Sequence, residues 1–110
     1  AEEPLILLAP PGMEGDDPIE LLRTQPFIRF SRQAWVGRDI DDWLRRKGLR
    51  VRETMELDSL DVISTMVYHN LGVSIVPLRC VDAPIRLLTP LDAAPRLTVR
   101  RSTPPPRQRR

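Results

Sequence analysis

Short apolar runs alternate with helical patterns along the first 77 residues of the chain. The predicted strands are the runs at 4–9, 26–30, 51–57 and 73–76. The run at 4–9 is continuously apolar, as expected for a strand buried on both faces. The helical patterns between them give the order β-α-β-α-β-α-β, in which right-handed crossovers join parallel strands. The sequence therefore predicts an α/β fold with a parallel, Rossmann-like sheet.

Three helices are predicted between these strands from their ends and apolar stripes. The first begins with Asp17 as cap and Pro18 at the first helical position. The second spans 35–48, has one apolar face and ends at a glycine. The third begins at Asp58 or Ser59, because both residues are good helix caps.

The stretch "MVYHNLGVSIVP" at 66–77 joins the third helix abruptly to the last of these strands. Asn70 is placed where a helix ends in a left-handed residue, a position at which asparagine is second only to glycine. Gly72 lets the backbone turn tightly, and Pro77 closes the strand because proline cannot extend a central strand. A helix here is predicted to turn directly into a buried strand.

The strand at 51–57 is the most polar of the four. Its polar face is formed by Arg52, Thr54 and Glu56. Its other face carries Val51, Met55 and Leu57, and Glu53 interrupts that face.

The pattern changes after Pro77. Two short strand-like pieces, at 85–88 and 96–100, are separated by turns, and 102–110 is rich in proline and arginine. The predicted organisation is a lobe at 1–78, a connecting segment at 79–101 and a disordered or polyproline-II tail at 102–110.

The net charge of +2 conceals an uneven distribution. Five of the 17 basic residues lie in the last eleven positions, which leaves 12 basic against 15 acidic residues before them. This balance argues against a nucleic-acid-binding surface on the folded part. No apolar run approaches the ~20 residues that span a bilayer, and the start does not resemble a signal peptide. The single cysteine, Cys80, fits a reducing cytosol.

Catalytic and metal-binding patterns are weak. His69 is the only histidine and has no evident partner as a base, and one histidine with one cysteine makes a zinc site improbable. Ser59 and Ser64 lie in no nucleophile elbow, and 12–17 lacks the alternating acidic spacing of a calcium loop. We therefore expect no cofactor, no metal and no enzymatic activity.

The segment "PFIRFSRQAWVGRDIDDWLRRKGLRVRETMELDSLDVISTMVYHNLGVSIVP" at 26–77 resembles the effector-binding domain of LysR-type transcriptional regulators. The resemblance is carried by an ordered series: Pro26-Phe27-Ile28, Ile40-Asp41, Gly48, Glu56, Met66-Val67, Asn70-Leu71-Gly72-Val73 and Val76-Pro77. "EEPLILLAPPG" at 2–12 also matches the strand that precedes this series in the family. Asn70 stands where the family usually has a glycine.

The resemblance implies the second lobe of a two-lobed effector domain with a type 2 periplasmic-binding-protein-like fold. The first lobe and the winged helix-turn-helix are expected to be missing from this chain, and 79–101 would return toward the first lobe. A small-molecule effector would bind between the lobes and control DNA binding by a cytoplasmic homo-oligomer. The alternatives are a lobe of a solute-binding protein of the same fold and, less favoured, a small enzyme.

In such folds ligands bind beyond the carboxyl ends of the strands. The predicted effector-binding residues at these ends are Phe30, Ser31, Arg32, Gln33, Asp58, Ser59 and Leu60. Arg32 is suited to clamp a carboxylate, so an anionic metabolite is the expected ligand; the alternative is a solvated loop arginine. Ser59 is equally well explained as a helix cap.

The resemblance also implies antiparallel pairing of effector domains. The matching elements are the helix at 37–47 and the strand at 51–57, and a chain without its first lobe is expected to self-associate through this helix or an uncovered sheet edge. Trp43 is either part of this contact or part of the core.

Overall fold

The computed structural model describes residues 4–77 and 98–104. Five strands and three helices lie in these ranges: β1 (Leu5–Ala9), α1 (Pro18–Thr24), β2 (Pro26–Phe30), α2 (Trp35–Arg46), β3 (Arg52–Leu57), α3 (Leu60–Tyr68), β4 (Ser74–Pro77) and β5 (Thr98–Arg101). The α/β class and every element predicted up to Pro77 are confirmed, with ends that differ by one or two residues. The strand-like piece predicted at 85–88 lies outside the described residues.

Two small sheets are joined through Val73. In one, β1 lies between an antiparallel β4 and a parallel β5, and in the other β2 and β3 are parallel. The Val73 carbonyl accepts from the Ile28 N–H at 2.8 Å, and the Val73 N–H donates to the Pro26 carbonyl at 2.9 Å. The strands therefore follow the order β3-β2-β4-β1-β5 across the molecule.

Strand direction corrects one part of the prediction. β2, β3 and β4 run in the same direction, but β1 is antiparallel to β4, with Leu5 opposite Pro77 and Leu8 opposite Ser74. An all-parallel sheet was expected because α1 connects β1 to β2, yet β4 lies between those two strands. A strand buried on both faces has the same apolar pattern in either direction, so the pattern could not reveal the reversal.

Alternate residues of the strands belong to two apolar clusters on opposite faces of the sheet. The face covered by α1 and α2 buries Leu7, Ala9, Leu21, Leu22, Phe27, Val36, Ile40, Leu44, Val73 and Ile75. The face covered by α3 buries Ile6, Leu8, Ile28, Ile63, Val67 and Val76. The sheet is thus the middle of three layers, which fixes the direction in which each strand end presents its loop.

Helices α2 and α3 end in the same hydrogen-bonded motif. After α3, the Leu71 N–H donates to Met66 and the Asn70 N–H donates to Val67, while Asn70 has φ +66°. These two bonds and the left-handed residue define a Schellman ending. Gly72 follows with φ +149°, and a Cβ there would lie 2.6 Å from the Pro26 carbonyl oxygen. The chain therefore turns from helix into strand within the five residues that separate Tyr68 from Ser74.

Two residues near the predicted boundaries have defined surroundings. Trp43 is half-buried against the α1–α2 cluster, with the Lys47 ammonium 5.8 Å from its ring. Ser102, at the start of the predicted tail, is buried and donates its N–H to Ala9 at 2.8 Å. Self-association and the domain boundaries stay predictions.

The conformation of Asn70 predicts opposite effects for two substitutions. Asn70→Ala should lower the free energy of unfolding by about 1–2 kcal/mol. The left-handed conformation is sterically unfavourable for alanine, which lacks the polar side chain that lets asparagine form a local hydrogen bond there. Asn70→Gly should be neutral or stabilising, since glycine adopts φ +66° freely. Urea denaturation of the three chains measures both values, and equal losses for glycine and alanine would contradict the explanation.

Candidate functional site

The carboxyl ends of β2 and β3 meet at one edge of the sheet. The Ser31 N–H donates to the Leu57 carbonyl at 2.8 Å and ties the two loops together. Helix α2 begins just after the first loop and α3 just after the second. We call this region, residues 30–35 and 57–60, the effector edge.

The seven residues predicted for the site all lie at the effector edge, but in different roles. Phe30 and Leu60 pack against the apolar clusters. The Ser59 hydroxyl accepts from the Val62 N–H at 3.3 Å and so caps α3. The Ser31 hydroxyl accepts from the Gln33 N–H at 3.2 Å. The side chains exposed toward solvent are those of Arg32, Gln33 and Asp58.

Arg32 is held by two glutamates of β3. Its Nη2 lies 3.0 Å from Glu53 Oε1, and its Nη1 lies 3.0 Å from Glu56 Oε1. The Arg32 backbone N–H also donates to Glu56 Oε2 at 2.8 Å. The side chain is still 46% exposed. The guanidinium is therefore fixed in place with part of its donor edge turned to solvent.

Behind Arg32 lies a second arginine that is almost fully buried. Arg29 of β2 is 4% exposed, and its Nε donates to Glu53 Oε1 at 2.9 Å while Nη1 donates to Asp41 at 3.2 Å. Burial of a charge is costly unless the charge is paired and hydrogen-bonded. We call Arg29, Arg32, Asp41, Glu53 and Glu56 the ionic cluster; it links β2, β3 and α2.

A β-bulge in β3 makes the ionic cluster possible. The register places Phe27 opposite Glu53 but Ile28 opposite Met55, so Thr54 is the extra residue. In a regular strand, residues 53 and 56 would face opposite sides of the sheet. The bulge brings both carboxylates to the face of Arg29, and the Thr54 hydroxyl donates to the Phe27 carbonyl at 3.3 Å. The bulge thus accounts for the break in alternation at Glu53.

Charge pairing shifts two ionisation equilibria in the ionic cluster. Burial acts to raise the pKa of the Glu53 carboxyl, but the hydrogen bonds from Arg29 and Arg32 outweigh it and hold this pKa below its usual value. The hydrogen bond to Glu53 raises the pKa of the Arg32 guanidinium. Both groups are therefore charged at neutral pH, and each favours the charged form of the other.

The first turn of α2 borders Arg32 and has no side-chain cap. Ala34 occupies the cap position, and the first turn contains no acidic residue. A Cβ on Gly37 would lie 1.7 Å from the Ser31 carbonyl oxygen, so glycine is needed for this turn to pack on the loop. Trp35 is 53% exposed at the same place. The loop that carries Arg32 is thus followed directly by an exposed aromatic residue and by helix N–H groups without a side-chain cap.

Sequence reasoning missed four members of the ionic cluster as parts of the site, and it missed Trp35 at its border. The four are Arg29, Asp41, Glu53 and Glu56. One indication of a buried ionic contact was available in the sequence: Glu53 is a polar residue on the apolar face of β3. An arginine inside the short apolar strand β2 was another, because such a residue needs an acidic partner. The pairing of Arg29 with Glu53 depends on the register between β2 and β3, which cannot be read from the sequence.

Two kinds of feature are absent from residues 4–77 and 98–104. No group of three or more histidine, cysteine, aspartate or glutamate residues there could hold a metal ion. No helix in this part of the chain is long and apolar enough to cross a membrane.

The fold and the effector edge define a class: an α/β lobe whose loops and helix starts meet beyond the carboxyl ends of its parallel strands, where such folds bind ligands. The family profile of the LysR substrate binding domain matches residues 1–109. The chain therefore belongs to this family, whose members are regulatory ligand-binding domains.

Among solved structures, the chain is similar to the regulatory domain of CcmR from Synechocystis PCC6803, in complex with 2-PG. The TM-score is 0.63 and the sequence identity is 21%; the match covers 76% of this chain and 43% of that chain. This chain thus spans less than half the length of the neighbour, and the likeness supports the fold. No curated protein matches the sequence.

The ionic cluster predicts a pH-dependent loss of stability. Glu53→Gln should lower the free energy of unfolding at neutral pH by about 1.5–3 kcal/mol, because hydrogen bonds to charged groups are lost around a buried arginine. The native pKa of Glu53 is below its unfolded value of about 4.3. Its contribution is therefore complete above that value and disappears as the pH falls through the native pKa.

Denaturation of both chains at neutral and at acidic pH measures this contribution. The control is Asp42→Asn, which removes an exposed carboxylate 3.5 Å from Arg45 and should change stability by less than about 1 kcal/mol. A difference between wild type and Glu53→Gln that persists unchanged into acid would show that the Glu53 charge is not responsible.

Proposed function

We propose that this chain is the ligand-sensing lobe of a LysR-type transcriptional regulator. Its effector edge would form one side of a cleft that holds a small-molecule effector. The observation that carries the proposal is the placement of Arg32, because a family-matched lobe presents a fixed, partly exposed guanidinium where ligands bind in this fold.

The geometry of Arg32 favours an acidic ligand that also has hydrogen-bond donors. Among the described residues, Nη1 and Nη2 have carboxylate partners, whereas Nε has none. The edge formed by Nε and Nη2 can therefore receive a carboxylate or phosphate through two parallel bonds. Glu53 and Glu56 already offset the charge of Arg32, so ligand hydroxyl or amino groups that face these acids would add specificity.

Anion binding also has a neighbouring support at the start of α2. Its first N–H groups have no side-chain cap, and a helix N-terminus attracts negative charge. The CcmR regulatory domain was solved in complex with 2-PG, which makes 2-PG a reasonable first compound to test on this chain.

The remaining parts of the proposal concern the whole regulator. Binding of the effector would change closure of two lobes and thereby the placement of DNA-binding heads in a cytoplasmic homo-oligomer. Support comes from the family alone. The predicted self-association through α2 and β3 belongs to this part of the proposal.

Arg32→Ala should weaken binding of an acidic effector by about 1.5–3 kcal/mol, because a charge-assisted bond is lost. The measurement is an NMR titration of the chain with 2-PG and a panel of small hydroxy, amino and dicarboxylic acids. A ligand should shift the backbone signals of Ser31, Arg32, Asp58 and Ser59 selectively. Binding by this lobe alone is expected to be weak.

The matched control is Arg23→Ala, which removes the same charge from the exposed last turn of α1. It should leave the titration unchanged. Equal weakening of ligand binding by both substitutions would show that only the net charge of the chain matters. Signal shifts confined to residues outside the effector edge would refute the proposed site.

A further inference from the structure

The effector edge and the ionic cluster behind it together carry more negative than positive charge. The cluster contains two arginines and three acidic residues, and Asp58 is a further exposed carboxylate just after β3. Two positive against four negative groups give a formal charge of −2. A ligand with only negative charge would therefore be attracted by Arg32 but repelled by the surrounding acids.

The exposed charges of opposite sign lie on two neighbouring segments. The loop after β2 carries Arg32, and the first turn of α2, which follows it, contains no acidic residue. The loop after β3 carries Asp58, and the first turn of α3, which follows it, contains Asp61. The Ser31 N–H joins the two loops by donating to the Leu57 carbonyl at 2.8 Å. A positive side and a negative side thus adjoin at one edge of the sheet.

Glu56 has acceptor capacity that its contacts with Arg32 leave unused. Its Oε1 accepts from Arg32 Nη1 at 3.0 Å, and its Oε2 accepts from the Arg32 backbone N–H at 2.8 Å. A carboxylate has about four lone-pair sites, and the Glu56 side chain is 35% exposed. Each oxygen can therefore accept a further hydrogen bond from a ligand while Arg32 stays in place.

Asp58 offers a second carboxylate that the fold does not need as a helix cap. The cap of α3 is Ser59, whose hydroxyl accepts from the Val62 N–H. Asp58 itself is exposed. Glu53, in contrast, already accepts three hydrogen bonds from the two arginines of the ionic cluster. Glu56 and Asp58 are thus the carboxylates available to a cationic group.

An ammonium group fits this negative side better than a metal ion. It carries three hydrogen-bond donors, so it can contact more than one carboxylate oxygen. Within residues 4–77 and 98–104, no group of three or more acidic, histidine or cysteine residues could hold a metal ion. The cation expected beside Glu56 is therefore part of an organic ligand.

Taking Arg32 as the anion-binding group of the proposed function, we propose that the effector is a small zwitterion, a carboxylic acid that also carries an ammonium group. Its carboxylate binds the edge formed by Nε and Nη2 of Arg32. Its ammonium group faces Glu56 and Asp58. Such a ligand has no net charge, so it is attracted by both sides and avoids the repulsion that acts on a plain acid.

Pairs of compounds that differ only in the amino group test this preference in the intact chain. The pairs are alanine and propionate, γ-aminobutyrate and butyrate, and ε-aminocaproate and caproate. Affinities are measured by NMR titration of the Arg32 and Asp58 backbone signals. At least one amino compound should bind about tenfold or more tightly than its partner, the factor expected for a charge-assisted hydrogen bond. Equal affinities within every pair would overturn the proposal.

Glu56→Gln and Asp58→Asn remove the negative side one charge at a time. In each variant the ratio of the two affinities within a pair should fall several-fold, because the amino compound loses a charged acceptor and the plain acid loses a source of repulsion. The ratio is independent of support for Arg32, since displacement of Arg32 weakens both compounds of a pair alike. An unchanged ratio in both variants would contradict the assignment of the ammonium site.

The matched control is Glu14→Gln, which removes the same charge from the exposed loop after β1. This loop lies at the opposite edge of the sheet, because β1 runs opposite to β2 and β3. The affinity ratio should stay unchanged in this variant. An equal fall would show that the preference follows the net charge of the chain and would overturn the proposal.

The same titrations separate the class of ligand from the site itself. Plain and amino acids that shift the signals of the effector edge with equal affinity would refute the zwitterion and retain the proposed function. If no compound shifts these signals, the effector edge is not the binding site, and both proposals are wrong.

Discussion

The buried charge of Arg29 is the constraint around which the effector edge is built. A guanidinium that is 4% exposed must keep its carboxylate partners, and these come from β3 and α2. Glu53 shares one oxygen between Arg29 and Arg32. The exposed arginine is therefore positioned by the buried one, and the bulge at Thr54 is the backbone feature that allows a single strand to supply both glutamates.

The reversal of β1 gives the two edges of the sheet different chemistry. At the effector edge β2 and β3 end and α2 and α3 begin. The exposed residues there include Arg32, Gln33, Trp35 and Asp58. At the other edge β1 ends and α3 terminates in its left-handed Asn70. Helix starts favour anions and helix ends do not. The first edge thus suits an acidic effector, whereas the second edge presents apolar and amide groups.

The sequence was sufficient for the elements and for the edge of the sheet at which the loops after β2 and β3 meet. Apolar runs and caps such as Asp17, Ser59 and Asn70 act locally, so they placed strands and helices within one or two residues. The direction of β1 and the bulge at Thr54 depend on which strands become neighbours, and no local pattern encodes that choice. For the same reason Arg32 could be assigned to the edge while its two glutamate partners could not.

Arg29 and Glu53 share a hydrogen bond at 2.9 Å, and we infer that they act as a coupled pair that holds the effector edge together. A double-mutant cycle measures this coupling directly, with Arg29→Met, Glu53→Gln and both substitutions combined, by urea denaturation at neutral pH. We expect a coupling free energy of about 1–3 kcal/mol, as for contacting residues in one ionic network. Additive losses, with coupling below about 0.5 kcal/mol, would show that Arg29 and Glu53 stabilise the fold independently.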